Sequence, residues 1–168
     1  MLDVIEIEFL GHDAHPYQPE NHLIEDKTYW GLSRRAAYAE ALRAVDPIQP
    51  HLWGLSPDSS YHGRYDRVPL ADAPAFNSSL RLVKVDDLRI RVRAESVIFE
   101  NMKKKLRGYF TYSGNQYGIM ITDPIIENQY LSMAENTYDV GAALLCVSLG
   151  EPYQGHAYKL IAGVILSP

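Results

Sequence analysis

The chain reads as mainly β with minor α, a small β-barrel rather than a layered α/β fold. Two observations carry this. Apolar and polar residues alternate with period two in segment after segment, and Gly, Asp, Asn and Pro punctuate those segments at short intervals. A third is that only one stretch, about 34–45, has clear helical spacing.

In chain order, Val4, Glu6 and Glu8 alternate with Ile5, Ile7 and Phe9, which predicts a strand over 3–9. Gly11 to Pro19 is a loop broken by two prolines, and Leu23-Ile24 is a short strand. Ser33 is positioned to cap a helix over about 34–45, where Tyr38, Ala41, Leu42 and Val45 share a face and Asp46-Pro47 ends the run. Residues 46–79 hold five of the ten prolines, so they form a long irregular connection with a short piece of structure around His51-Leu52-Trp53. From residue 80 the strands crowd together. Leu80, Leu82 and Val83 begin one, and Leu88 to Arg93 make the next after a joint at Asp86-Asp87. Val97 to Glu100 make a short third. Arg107–Tyr112 and Tyr117–Thr122 flank a hairpin turn at Ser113-Gly114-Asn115-Gln116. Residues 125–138 fit a short helix or a loop, and Ala143–Leu149 and Ala157–Leu166 are the last two strands.

A length of 168 residues suits one domain, or two very small ones sharing a core. Hydrophobic residues make up 46% and charged residues 22%, the balance of a folded chain rather than a disordered one. Cys146 is the single cysteine, which excludes an internal disulfide and a Cys-rich metal site and fits a reducing compartment. No apolar run approaches the roughly 20 residues that cross a bilayer, and the acidic, alternating start does not resemble a signal peptide. The expected location is the cytoplasm, with no membrane partner. Twelve Tyr against four Phe favours strands whose outer face is wet or touches a ligand.

Charge is the sharpest signal. Nine of the sixteen Lys and Arg fall between Arg81 and Arg107 beside four acidic residues, a net of +5 inside a chain whose total is −5. Arg89, Arg91 and Arg93 alternate with Leu88, Ile90 and Val92, which puts three guanidinium groups on one strand face and three aliphatic groups on the other. Lys103, Lys104, Lys105 and Arg107 add charge. Tyr109, on the alternating face of Arg107, is a candidate stacking platform, and Lys159 is the one basic residue after 107. Cations with an aromatic beside them are what exposed phosphates and bases require. The predicted nucleic-acid-binding residues are therefore Arg89, Arg91, Arg93, Lys103, Lys105, Arg107, Tyr109 and Lys159.

Other candidates are weaker. His12, His15 and His22 lie within eleven residues with Asp13 and Glu20 nearby, but no His-Glu-x-x-His spacing fixes their convergence, so no metal is assigned. Ser148 lacks a nucleophile-elbow setting, since residue 146 is Cys where Gly is needed. Asp86, Asp87 and Asp123 sit at turns, where Asp is favoured by backbone hydrogen bonding. Cys146 lies mid-strand as a small hydrophobe. No Walker-type phosphate loop is present, and the expectation is a non-enzyme without cofactor.

Several short texts stand in order along the chain: Leu2-Asp3-Val4-Ile5, Gln18-Pro19-Glu20-Asn21, Tyr61-His62-Gly63 with Asp66-Arg67-Val68-Pro69, and Ser78-Ser79-Leu80-Arg81-Leu82. Val85-Asp86-Asp87-Leu88, Thr122-Asp123-Pro124, Val147-Ser148-Leu149-Gly150-Glu151-Pro152 and Tyr158-Lys159-Leu160-Ile161-Ala162 continue the series. Together they resemble the dual OB-containing domain family. The resemblance implies two packed OB-like barrels, a first half over 1–79 with the helix and the long connection, and a second barrel over 80–168. It implies nucleic-acid or nucleotide recognition in a bacterial setting of defence against phage and other invaders, with no catalytic residues to carry over. Family members usually begin with a further strand pair, so the first barrel is expected to be incomplete, or completed by a partner subunit or a second copy. The alternative expectation is accordingly a structural or regulatory subunit that docks a partner, or forms a homo-oligomer, through strand edges.

Overall fold

The computed structural model describes residues 2–54, 58–95 and 102–167. Its centre is a barrel built from five strands: β6 (Leu80–Glu95), β7 (Lys103–Tyr112), β8 (Asn115–Ile121), β9 (Asn136–Tyr153) and β10 (His156–Leu166). β6, β7 and β8 form an antiparallel meander. β10 lies parallel to β8, with Leu160 opposite Met120. β9 then pairs antiparallel with both β10 and β6, which closes the sheet on itself. Closure removes the open edges a five-stranded sheet would otherwise present. A helix, α2 (Pro124–Tyr130), connects β8 to β9 and buries Ile126 against the barrel core.

Asp86-Asp87 does not join two strands; it is an irregularity inside one sixteen-residue strand. Before it Val83 and Val85 are buried, and after it Leu88, Ile90 and Val92 are. The inward phase changes from odd to even, as an extra residue in a ladder requires. Asp87 holds the irregularity, accepting hydrogen bonds from the Thr111 N–H (2.8 Å) and hydroxyl (2.7 Å). The hairpin turn expected at Ser113-Gly114-Asn115-Gln116 is tighter, with only Ser113 and Gly114 between the strands because β8 begins at Asn115, and both have positive φ (49° and 77°). The Gly150–Gly155 loop is shorter than expected, because β9 runs on to Tyr153 and turns only at Gln154-Gly155. The expected Val97–Glu100 strand lies outside the described residues.

The N-terminal part is thinner. β1 (Leu2–Glu6) pairs with β4 (Gly31–Ala36), and β2 (Phe9–His12) with β3 (His22–Ile24), as two separate two-stranded ribbons. Of the two barrels expected, one is closed and the first is incomplete among the described residues. The strand predicted over 3–9 is split at Ile7-Glu8 between β1 and β2. The helix is also shorter than 34–45. Residues 31–36 are taken by pairing with β1, so α1 covers Tyr38–Arg43 only. Its first turn is capped by Glu40, which accepts the Ala37 N–H at 3.0 Å and pairs with Arg34 at 2.7 Å. These hydrogen bonds hold the Glu40 carboxyl below its usual range.

The long connection covers the barrel. β5 (Arg67–Pro69) adds to β10, and a 3-10 turn spans Leu70–Ala75. Leu52 and Trp53 are buried. The tyrosines explain how. The buried Tyr112 and Tyr117 pack their rings inside the barrel, and their hydroxyls accept the backbone N–H groups of Gln49 (2.9 Å) and Leu52 (3.2 Å). Part of the Tyr excess therefore serves the core, each phenol anchoring a loop with its polar tip. No helix is long and apolar enough to cross a membrane among the described residues.

Candidate nucleic-acid interface

Residues opposite one another on an antiparallel ladder share a face and stand about 5 Å apart at Cβ. The β6–β7 register therefore fixes the cationic surface. Arg89 faces Tyr109, Arg91 faces Arg107, Arg93 faces Lys105 and Glu95 faces Lys103. On the far side of β6, Asp139 is opposite Arg89 and Thr137 opposite Arg91. Beside this edge Arg91, Arg93, Asn136 and Thr137 line a shallow depression of about 230 Å³. Arg89, Arg93 and Lys103 are exposed, Lys105 and Arg91 partly so. Lys104 points to the other side and donates to the Met133 carbonyl (2.9 Å).

Tyr109 sits in the middle of the surface. The Arg91 guanidinium lies 4.6 Å from its ring centroid, a cation–π stack that fixes both side chains. Burial raises the Tyr109 phenol above its ordinary value, against the pull of Arg91 and Arg107. The other neighbour is Gly118, directly opposite on β8. A Cβ there would stand 2.7 Å from Tyr109 Cε1, so the glycine makes room for the ring. Gly118 also exchanges backbone hydrogen bonds with Arg64 (3.0 and 2.8 Å). Arg64 is exposed and extends the row Arg89–Tyr109–Gly118 by one more cation. Nothing in the sequence pointed to Arg64, because it comes from the irregular connection and reaches the surface through a single bridge.

Two predicted residues do not offer their charge to this surface. Arg107 shares the face but is buried, 7% exposed. Glu95 accepts from its Nε (2.8 Å) and Nη2 (3.0 Å), and Asp66 Oδ2 lies 3.4 Å from Nη1. Two carboxylates around one guanidinium leave that cluster at −1. Lys159 points to the inner side of the barrel, 4% exposed, and donates to the carbonyls of Tyr65 (2.8 Å) and Arg67 (3.5 Å). Burial lowers its pKa to about 8 despite Asp66 and Asp58 nearby. Both corrections have one cause: Tyr65 and Asp66 lie over this end of the barrel, a placement that alternation within β7 and β10 does not encode.

The other candidates resolve into structural roles. His12 and His22 direct ring nitrogens at the carbonyls of Pro19 (2.6 Å) and Glu20 (2.7 Å), and His15 stacks on Tyr17. No group of three or more potential metal ligands converges among the described residues. Asp123 caps α2 through the Ile125 N–H (2.8 Å) and accepts the Val164 N–H (2.9 Å). Cys146 is half-buried, and burial, reinforced by Asp46, pushes its thiol up.

Three of these short texts meet at one junction. Glu20 accepts the Ser79 N–H and hydroxyl (both 2.7 Å), and Gln18 donates to the Leu149 carbonyl (2.9 Å). Leu149 in turn donates to the Ser79 carbonyl (2.8 Å). Burial works to raise the Glu20 pKa, but the Ser79 and Ser78 hydrogen bonds outweigh it and hold it down. A fourth text forms a hub. Asp66 takes the Ser60 N–H and hydroxyl as well as Arg107, and a Cβ on Gly63 would overlap its carboxylate.

Neither the curated proteins nor the solved structures contain a match to the chain. The sequence profile of one family does match, over residues 1–164, and the mainly β, barrel-like fold is consistent with it. The chain belongs to the dual OB-containing domain family.

Proposed function

We propose that the protein is a non-catalytic binding module that holds single-stranded nucleic acid, or a nucleotide, on the β6–β7 face. The observation that carries this reading is the Arg91–Tyr109 stack set among Arg64, Arg89, Arg93, Lys103 and Lys105. Cations track phosphates, and a fixed guanidinium–phenol stack offers flat surface to unpaired bases. OB barrels commonly hold oligonucleotides on a surface over the second and third strands, which supports this reading. Here the third strand, β8, carries Arg64 at Gly118, so the open part of the face shifts toward β6 and β9. The setting of bacterial defence against invaders rests on the family resemblance.

Fluorescence anisotropy with labelled single-stranded DNA and RNA across a salt series tests this. Binding that weakens with salt, with a slope of about −0.7 per phosphate contacted, supports it. Absence of binding at low salt overturns it.

A second reading concerns the ribbons. Phe9, Leu10, Leu23, Trp30 and Leu32 are each more than half exposed there. Apolar side chains on short open ribbons fit strand addition by a partner subunit or a second copy. Light scattering on the eluting protein decides: a strictly monomeric species removes the homo-oligomer, and unchanged anisotropy after ribbon substitutions assigns the ribbons no part in ligand binding.

A further inference from the structure

A cleft lined by none of the β6–β7 face residues lies beside Trp53. It measures about 780 Å³ and is walled by the 49–54 loop on one side and the 3-10 turn with Phe76 and Asn77 on the other. That volume falls in the range of small-molecule sites. Its walls are built rigidly. The loop is tied to the barrel by the Tyr112 and Tyr117 hydroxyls, by Asn115 donating to the Pro50 carbonyl (3.1 Å), and by the Trp53 indole donating to the Ser78 carbonyl (2.7 Å).

At its base stands Arg81. Because Arg81 precedes the Asp86-Asp87 irregularity, it is in phase with Val83 and Val85 and enters from the inner side of β6. Its guanidinium lies 5.3 Å from the Trp53 ring centroid. Its Nε is fully buried without a hydrogen-bond partner, and no carboxylate lies within 4 Å among the described residues. An inward arginine held over an indole with a buried Nε left unpaired is suited to an anion, since the planar fork matches phosphate or carboxylate oxygens in pairs. The rest of the lining narrows the ligand. Phe76, Pro50 and Pro74 supply apolar surface for a flat ring, while Asn77, His51 and Asp72 supply donors and acceptors for its edge. Among the described residues Arg81 is the one Lys or Arg lining the cleft, and Asp72 opposes further negative charge, so the ligand carries one phosphate rather than three.

We propose that this cleft is a second binding site, independent of the β6–β7 face, which takes a nucleoside monophosphate with its phosphate on Arg81 and its base against Phe76. Eight residues of strand separate Arg81 from Arg89, on the order of 25 Å. The two sites are therefore testable apart.

The experiment is a fluorescence titration of the full chain carrying Trp30→Phe, so that Trp53 alone reports. The probes are adenosine, guanosine, cytidine and uridine 5′-monophosphates, the parent nucleosides, and inorganic phosphate. Saturable binding of at least one monophosphate is expected, with its nucleoside and inorganic phosphate each roughly tenfold or more weaker. Arg81→Gln is expected to raise Kd roughly tenfold or more, and Arg89→Ala with Arg93→Ala to leave it unchanged. Circular dichroism confirms folding, and Phe76→Ala replaces Arg81→Gln as the test if that variant does not fold; it is expected to weaken the monophosphate but not inorganic phosphate. Absence of saturable binding by every monophosphate overturns the proposal, as does unchanged affinity in Arg81→Gln or phosphate binding as tightly as the nucleotide. Loss of binding in the Arg89/Arg93 double variant assigns the nucleotide to the outer face and overturns the cleft as its site.

Discussion

Glu95 grips Arg107 with two parallel hydrogen bonds, 2.8 Å from Nε and 3.0 Å from Nη2, on the last residue of β6 before the connection to β7. Both side chains are buried, and Asp66 completes the cluster. Neutralising Glu95 breaks the close two-point pair and leaves the buried Arg107 with only the longer Asp66 contact at 3.4 Å. Glu95→Gln is expected to destabilise the fold by about 3 kcal/mol, measured by urea unfolding. An effect below about 0.5 kcal/mol would mean that water, not Glu95, satisfies Arg107.

Arg89 and Arg93 stand exposed, so their loss should cost binding and little stability. Each change to Ala is expected to lower the salt slope for single-stranded ligands by about 0.7 with unfolding changed by less than about 0.5 kcal/mol. Arg107→Met should instead unfold the protein more easily. A binding loss from Arg107→Met larger than from Arg89→Ala, at temperatures where both remain folded, would return Arg107 to the ligand surface.

Gly118→Ala probes the same surface from below. The added methyl meets Tyr109 Cε1 at 2.7 Å and Arg64 Cβ at 3.2 Å, so ring and connection must both move. A loss of about 1–3 kcal/mol in stability is expected. Weakened anisotropy signal should accompany it, because the Arg91–Tyr109 stack is displaced. Unaltered ligand affinity in a destabilised Gly118→Ala protein would show that the stack is not used.

Lys159 sets a pH dependence of unusual sign. Its folded pKa is about 8, below the ordinary lysine value of 10.5, chiefly through burial. Below pH 8 both folded and unfolded states carry the proton, and the cost of burying the charge is fully present. Between pH 8 and 10.5 the unfolded chain binds more proton than the folded one, so stability rises with pH. Relative to Lys159→Met, the wild-type unfolding free energy should climb by on the order of 2 kcal/mol from pH 7.5 to pH 10. Parallel pH profiles for the two proteins would show that Lys159 is already neutral, or well hydrated, at pH 7.5.

Much of the barrel could be read from the chain because each strand carries its own period and its own turn. Ser113-Gly114 and the alternation through Leu88 to Val92 are local facts, and they survived folding unchanged. The cationic row of Arg89, Arg91 and Arg93 was readable for the same reason. What could not be read depended on distant chain. Residues 34–36 fit a helix until β1 pairs with them, and Arg107 resembles a surface cation until Glu95 and Asp66 enclose it. Arg64 and Arg81 were missed as binding candidates because Arg64 lies in an irregular segment and Arg81 takes its inward phase from the stretch before Asp86-Asp87, five residues further on.

The doubled aspartate in β6 makes the spacing between Arg81 and Arg89 a fixed quantity. Deleting one residue between Val85 and Leu88 would turn three guanidinium groups into the oily interior and push Leu88, Ile90 and Val92 out into water, with every downstream pairing reversed. A substitution in that segment keeps the phase of the strand, whereas a change of its length by one reverses it.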